Sequence, residues 1–239
     1  MADTPPTNAY TGAKIQVLKG LEAVRHRPAM YIGDTEKKGL HHLIWEILDN
    51  SVDEAMAGFA KNINIVIEKD GETISVEDDG RGIPVDMHPT EHKSSLEVAM
   101  TVLHAGGKMT SDSSGYVASG GLHGVGASCV NALSDKMTVE VWRDGHLWKQ
   151  EYSRGEPLAK VSKVCKLDKH DKQNGTKSTW HADGQIFKHS VKLDESEILR
   201  RLRETAFLNR GLKISFNNLA TGTKLDFKFD GGIGDYVLY

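Results

Sequence analysis

Cysteine is scarce in this 239-residue chain, with only Cys129 and Cys165, far apart. Two thiols are too few for a disulfide framework or a four-ligand zinc site, and a reduced, cytoplasmic compartment is expected. Aromatic residues make up only 7%. No apolar run approaches the ~20 residues of a membrane span, so no membrane partner is expected. The opening MADTPPTNAYTGAK has no charged start followed by an apolar stretch, so no secretory leader is read there. An excess of one charge is also missing: 30 basic residues face 33 acidic ones. A segment that works mainly by gripping a phosphate backbone is usually more basic, so DNA binding is not expected to be this segment's main business, though another part of a larger chain could do it. What is present is a globular composition, 38% hydrophobic and 26% charged with 24 glycines, enough for one large domain or two small ones.

Along the chain, the first dozen residues read as a polar arm with Pro5 and Pro6. Apolar residues at Ile15, Leu18, Leu21 and Val24 predict a helix from Lys14 to Arg27, stopped by Pro28. A second helix is predicted from Gly39 to Gly58. Strands are predicted at Ile63–Glu68 and Thr73–Glu77 around the turn Asp70-Gly71, and at Met137–Arg143 and His146–Tyr152 around Asp144-Gly145. Further helices are expected at Ser94–His104, Gly124–Leu133 and Glu195–Asn209, the last capped by Asp194. Strands are also expected at Thr176–His181, Leu212–Phe216 and Lys224–Phe229. Residues 106–121 hold nine Gly or Ser in sixteen and read as a long functional loop. Lys160–Lys177 reads as a solvated turn region. Hairpins mixed with long helices predict an α/β fold, a two-layer sandwich of a mixed, mainly antiparallel sheet covered by helices.

Residues 42, 46, 50 and 54 are spaced four apart on the second helix, so His42, Glu46, Asn50 and Glu54 share one face. Leu, Ile, Trp and Val flank them. Buried, such a stripe needs partners for every polar group; exposed, it is the wet side of an ordinary amphipathic helix, and the segment alone leaves both open. The chemistry it can do is specific. Glu46 can take a proton from water, His42 can orient that carboxylate, and Asn50 offers a neutral oxygen suited to Mg²⁺ already bound to phosphates. The histidine spacing does not match a zinc protease helix.

Two glycine segments follow. Asp78-Asp79-Gly80-Arg81-Gly82-Ile83-Pro84 comes directly after a strand. Asp78 can accept the exocyclic amine of adenine, and Gly82 can leave room for the ring; taken alone, the segment is an ordinary turn. Ser119 to Ser128 opens a helix, where consecutive N–H groups can hold phosphates. It is neither a Walker A loop nor a Rossmann fingerprint.

The order of these three segments resembles that of the GHKL ATPase superfamily. Longer strings resemble more closely the ATPase subunits of bacterial type II DNA topoisomerases, the B subunits of DNA gyrase and of topoisomerase IV. They are Val17 to Asp34, Gly39-Leu-His-His-Leu, Asp53-Glu-Ala, Gly80-Arg-Gly-Ile-Pro, Thr101 to Lys108 and Ser119 to Leu133. The resemblance runs from about residue 10 to 233 and implies the GHKL, or Bergerat, ATPase fold. It implies Glu46 as general base with His42 in support, Asn50 as the Mg²⁺ ligand, and Asp78 with Thr176 as the adenine anchor. Gly82 and Ile83 are then expected against the base, with Pro84 and Met100 beside it and Arg81 at the outer edge. Lys108 and Gly120, Gly121, Leu122, His123, Gly124, Val125 and Gly126 are expected on the phosphates, with Tyr116 reaching the nucleotide. Tyr10 and Ile15, in an arm of residues 1–15, are expected to cross to a second copy of the same protein when ATP binds.

By the same resemblance, residues 16–239 form the ATP-binding domain, and the transducer and later domains lie outside this chain. ATP and Mg²⁺ are then the ligands, and activity is ATP-driven DNA strand passage with a DNA-cleaving A-type subunit, DNA being bound in the holoenzyme. The domain alone is expected to bind ATP with weak turnover. Aminocoumarin-type inhibitors are expected to bind, though less tightly, because Lys149 stands where the family usually has arginine. Val117 stands where lysine is usual, and Ala29 where glycine is common. A clamp or chaperone on the same fold is opposed by the Gly80–Pro84 and Thr101–Lys108 strings. A sensor without turnover is opposed by Glu46 and His42. Arg200, Arg201 and Arg203 read as a solvated face paired to Glu197 and Glu204.

Overall fold

A computed structural model of the chain describes residues 18, 20–105, 124–188, 191–232 and 234. The expected Tyr10, Ile15, Lys108, Tyr116, Gly120, Gly121, Leu122 and His123, and the departure at Val117, lie outside the described residues.

Six helices and nine strands occur among the described residues. In chain order they are α1 (Leu21–His26), α2 (Ala29–Ile32), α3 (Lys37–Met56), β1 (Asn62–Ile67), β2 (Thr73–Asp78), α4 (Ser95–Thr101) and α5 (Gly126–Ala132). Then come β3 (Ser134–Arg143), β4 (His146–Ser153), β5 (Glu156–Pro157), β6 (Ser162–Lys166), β7 (Gly175–Ala182), α6 (Glu195–Leu208), β8 (Lys213–Asn218) and β9 (Lys224–Phe227). The strands make one sheet in the order β5-β4-β3-β7-β2-β1-β8-β9, with β6 also on β4. All pairings are antiparallel except β1 with β8. This is the mixed, mainly antiparallel sheet that the hairpin pattern predicts.

α3 is the central helix. Asp34 Oδ1 accepts from the N–H groups of Glu36 and Gly39 at its start. A side chain at Gly39 would lie 1.9 Å from the Asp34 carbonyl, so this first turn requires glycine. Leu40, Leu43, Ile44, Ile47, Leu48 and Val52 recur at helical spacing and are buried. They join Ile63, Ile65, Ile67, Ile74, Val76, Val139 and Trp180 from the sheet in a single core. The hairpin turns follow their chemistry: Asp70 Oδ1 accepts from Glu72 N and Thr73 N, and Asp144-Gly145 takes positive φ at both positions, the primed turn that suits twisted strands. No helix among the described residues is long and apolar enough to cross a membrane.

Several expected elements change. Of the predicted helix 14–27 only Leu21–His26 is helical among the described residues, because Gly20 has φ 55°. Pro28, expected only as a stop, precedes a new short helix, where its missing N–H costs nothing. The Ser94–His104 helix ends at Thr101, with Val102 extended and His104 at φ 61°. The solvated region 160–177 contains strand β6, exposed along its whole length and paired to β4. On α6, Arg200 pairs with Glu204 as expected, at 3.1 Å. Glu197 instead approaches His41, and Arg201 and Arg203 lie over Trp45 and Phe227.

Candidate functional site

The stripe on α3 divides its work. His42 Nε2 lies 2.8 Å from Glu46 Oε1, and this bond is the main reason the imidazole titrates above its ordinary value. Asn50 Nδ2 donates to the Glu46 carbonyl at 2.9 Å, which orients the carboxamide along the same face. The Glu46 carboxylate meets the start of α5: a Cβ at Gly126 would fall 2.0 Å from Glu46 Oε2. Only glycine lets the helix opening come this close. Val125 N-caps α5 just before it, and Gly124 has φ 60°. Cys129, one turn along α5, is pushed up to about 12 by burial and by the Glu46 charge.

Glu54, the last member of the stripe, takes Arg81. Its Oε2 accepts from the Arg81 N–H at 3.0 Å and from Nε at 3.1 Å, and Oε1 accepts from the terminal nitrogen at 2.8 Å. The guanidinium stacks 3.9 Å over the Phe59 ring. Arg81 is thus fixed by protein groups on both sides.

Asp78 ends β2 and is buried. Its Oδ2 accepts from Ser51 Oγ and its Oδ1 from Gly80 N, both at 2.9 Å. Burial raises its pKa, against the Gly80 and Ser51 hydrogen bonds and the charge of Lys172. Thr176 lies directly across from Asp78 in the β2–β7 register, and its Oγ1 accepts from Ile83 N at 3.3 Å. Met100 is fully buried on α4, Ile83 half-buried and Pro84 exposed. Gly82, expected against the base, also packs closely on the sheet. At φ 77°, its Cβ would meet the carbonyls of Trp142 and Gly175 at 2.9 and 3.1 Å. The glycine is required by close approach to the sheet, whatever ring lies on the other side.

An open groove of about 340 Å³ is lined by Phe59, Asp79, Gly80, Arg81, Arg143, Asp144 and Asn174, and the buried Asp78 is not part of its wall. The second arginine on this rim is Arg143, which donates to the Gly82 carbonyl at 2.8 Å. Lys149 sits on β4, paired to Glu151 at 2.9 Å, and does not line the groove. Sequence reasoning missed Ser51, Arg143 and Lys172. Ser51 carried a usable signal: it lies five residues after Glu46 and so turns toward the sheet. Lys172 was hidden in a run of lysines. Among the described residues no cluster of three or more His, Cys, Asp or Glu is arranged to hold a metal.

Residues 35–184 match the family described as histidine kinase-, DNA gyrase B-, and HSP90-like ATPase. The chain is 53% identical over 230 residues to the DNA gyrase B subunit of Thermotoga maritima, covering 96% of this chain and 35% of that protein. It is 47% identical over 243 residues to the mitochondrial DNA gyrase B subunit of Arabidopsis thaliana, covering 98% of this chain and 32% of that one. The chain thus spans about a third of the length of these relatives. Among solved structures, the 43K ATPase domain of Thermus thermophilus gyrase B in complex with an aminocoumarin superposes with a TM-score of 0.81 at 43% identity. That match covers 92% of this chain and 54% of the other.

Proposed function

The chain belongs to the histidine kinase-, DNA gyrase B- and HSP90-like ATPase family, and from that premise we propose that it is the ATP-binding and hydrolysing domain of a cytoplasmic type II DNA topoisomerase B subunit. One observation carries the reading. Helix α3 serves two separate carboxylates: it bears Glu46, bound to His42 and pressed against Gly126, and through Ser51 it holds the buried Asp78. A basic group at one end and a buried acceptor at the other suit a ligand with a reacting phosphate and a purine.

In this proposal Asp78 accepts the exocyclic amine of adenine, aided by Thr176, and Ile83, Pro84 and Met100 flank the ring. Arg81 and Arg143 border the outer edge, where aminocoumarin-type inhibitors also bind. Backbone N–H groups at the opening of α5 and the preceding glycine segment hold the phosphates. Glu46 takes a proton from water as it attacks the γ-phosphate in line and ADP leaves, while His42, hydrogen-bonded to it, fixes that carboxylate. Mg²⁺, when bound, neutralises phosphate charge, and Asn50 supplies a neutral oxygen ligand for it. The arm with Tyr10 and Ile15 joins a second copy of the same protein. In the holoenzyme, with the DNA-cleaving A-type subunit, that closure drives one DNA duplex through another.

Calorimetric titration with Mg-ATP, and phosphate release from the complete protein, test the assignment. Glu46→Ala is expected to bind ATP and to release no phosphate above background. Asp78→Asn is expected to lose binding, because an amide sets a donor against a donor. Equal turnover by wild type and Glu46→Ala would remove Glu46 from the chemistry.

A further inference from the structure

Lys172 lies in the loop between β6 and β7, which closes on itself. Gln173 Nε2 donates to the carbonyls of Asp168 and Asp171, and Asp171 Oδ2 accepts from Asp168 N. From this loop the Lys172 ammonium reaches back to β2. It donates to the backbone carbonyl of Asp78 at 2.6 Å and to Glu77 Oε1 at 2.8 Å. It also lies 4.3 Å from the centre of the Trp142 ring, a cation–π contact. Gly175 allows this approach, since a Cβ there would meet the Asp78 carbonyl at 2.2 Å and Lys172 Cε at 2.6 Å.

We propose that Lys172 is a positioning residue for the purine end of the site: its ammonium clamps the peptide of Asp78 and keeps the adjoining carboxylate aimed. This rests on the reading of Asp78 as the acceptor of the adenine amine. The groups that face Asp78 are few. From α3 come the Ser51 hydroxyl and the Glu54 carboxylate, itself held by Arg81. The Gly80 N–H comes from the following turn, Glu77 from its own strand, and Thr176 from β7. Among the described residues, Lys172 is the cation with the largest effect on Asp78, opposing burial and Glu54, both of which favour the neutral acid. A neutral carboxyl binds an amine donor less well, so loss of Lys172 should weaken purine binding most where Asp78 is nearest protonation.

The test is calorimetric titration of the chain with ATP between pH 5.5 and 8, reading Kd of each variant relative to wild type, so that titration of the nucleotide cancels. Lys172→Met is expected to raise Kd about tenfold at pH 5.5 and at most about twofold at pH 8. Lys172→Arg should restore values near wild type at both. Lys172→Gln keeps a donor to the carbonyl without the charge, and should show the pH-dependent part of the loss. A ratio that stays flat with pH, or a Lys172→Met variant equal to wild type throughout, overturns the proposal. Asp78→Asn, run alongside, separates the two readings. If Asp78→Asn abolishes binding while the Lys172→Met ratio is flat, only the role of Lys172 fails. If Asp78→Asn leaves binding intact, the purine reading fails and the role of Lys172 with it.

Discussion

The carboxylate of Glu46 and the α-carbon of Gly126 are packed so closely that a methyl group on the glycine would lie 2.0 Å from Oε2. The contact joins the middle of α3 to the first residue of α5, on the carboxylate whose other oxygen is held by His42.

Gly126→Ala therefore displaces the carboxylate and breaks the 2.8 Å bond to His42. Phosphate release by the complete protein is expected to fall at least about 100-fold. The His42 ring should also titrate nearer its ordinary value of 6.5, because the Glu46 bond is the main cause of its rise. Proton NMR of the imidazole and a coupled phosphate assay check both. Unchanged values in both would mean that Glu46 has another place to rest.

Asp78→Asn is expected to leave the nucleotide-free fold as stable as wild type at pH 7.5, or more so. Burial lifts the Asp78 pKa, so the folded chain binds the extra proton between the ordinary value of 3.8 and the raised one. Stability from this group therefore falls as pH rises through that window, and at neutral pH the buried charge opposes folding. Asparagine removes that opposition and keeps one acceptor. Thermal melts decide it: a fall of more than about 3 °C, ~1 kcal/mol for a chain this size, would show that the charge itself holds the fold.

Adjacent histidines on α3 should titrate in opposite directions. His41 is buried, accepts from Asp194 N at 2.9 Å, and lies 3.2 Å from Glu197 through its other nitrogen. Burial pushes its pKa below 6.5, against the nearby carboxylates. The unfolded chain then binds the extra proton, so stability is lost as pH falls from 6.5 through the folded value. His42 shows the reverse: its contribution is present below 6.5 and is lost as pH rises through its raised folded value. Urea denaturation at about pH 7.5 and 5.5 should show a smaller acid loss in His41→Gln than in wild type. An equal loss would assign the acid sensitivity to other groups.

Asp183 knots three distant segments. Its carboxylate, 1% exposed, takes Arg25 of α1 at 2.7 Å and Arg154 of the turn after β4 at 2.8 Å. It also accepts from Gln185 N at 3.0 Å. Burial raises its pKa, but Arg154, the Gln185 N–H and Arg25 outweigh it, and the net shift is downward. Its stabilising effect is therefore present above pH 3.8 and is lost as pH falls through the lowered value. Asp183→Ala is expected to cost about 2 kcal/mol at neutral pH, since it removes the carboxylate that joins the partly exposed Arg25 and Arg154 and accepts from Gln185 N. Guanidinium chloride titration measures it, and a cost below about 1 kcal/mol would reduce the knot to a surface pair.

Much of this was legible in the sequence because local chemistry and global packing agree. The stripe His42, Glu46, Asn50, Glu54 and the apolar residues between them mark α3, its buried side and its working side. Asp70-Gly71 and Asp144-Gly145 set their hairpins by backbone chemistry alone. What could not be read depends on neighbours distant in sequence. Nothing near Glu54 indicates that it holds Arg81 rather than a ligand. That Gly82 also packs against β3 and β7 shows only once those strands are laid beside it. Lys172 is one lysine among many until the loop carries it to Asp78. β6 was missed because every one of its residues is exposed, which leaves no burial pattern to betray a strand.

The parallel pairing of β1 with β8 also orders events in time. Residues 62–67 wait for residues 213–218, about 150 positions later, before that edge of the sheet is closed. A chain still emerging from the ribosome can already pair β2 with β7, but the other edge of β1 stays unsatisfied until β8 has been synthesised. Translation stalled before residue 213 would leave that edge of β1 open, and chaperone capture during synthesis should peak there.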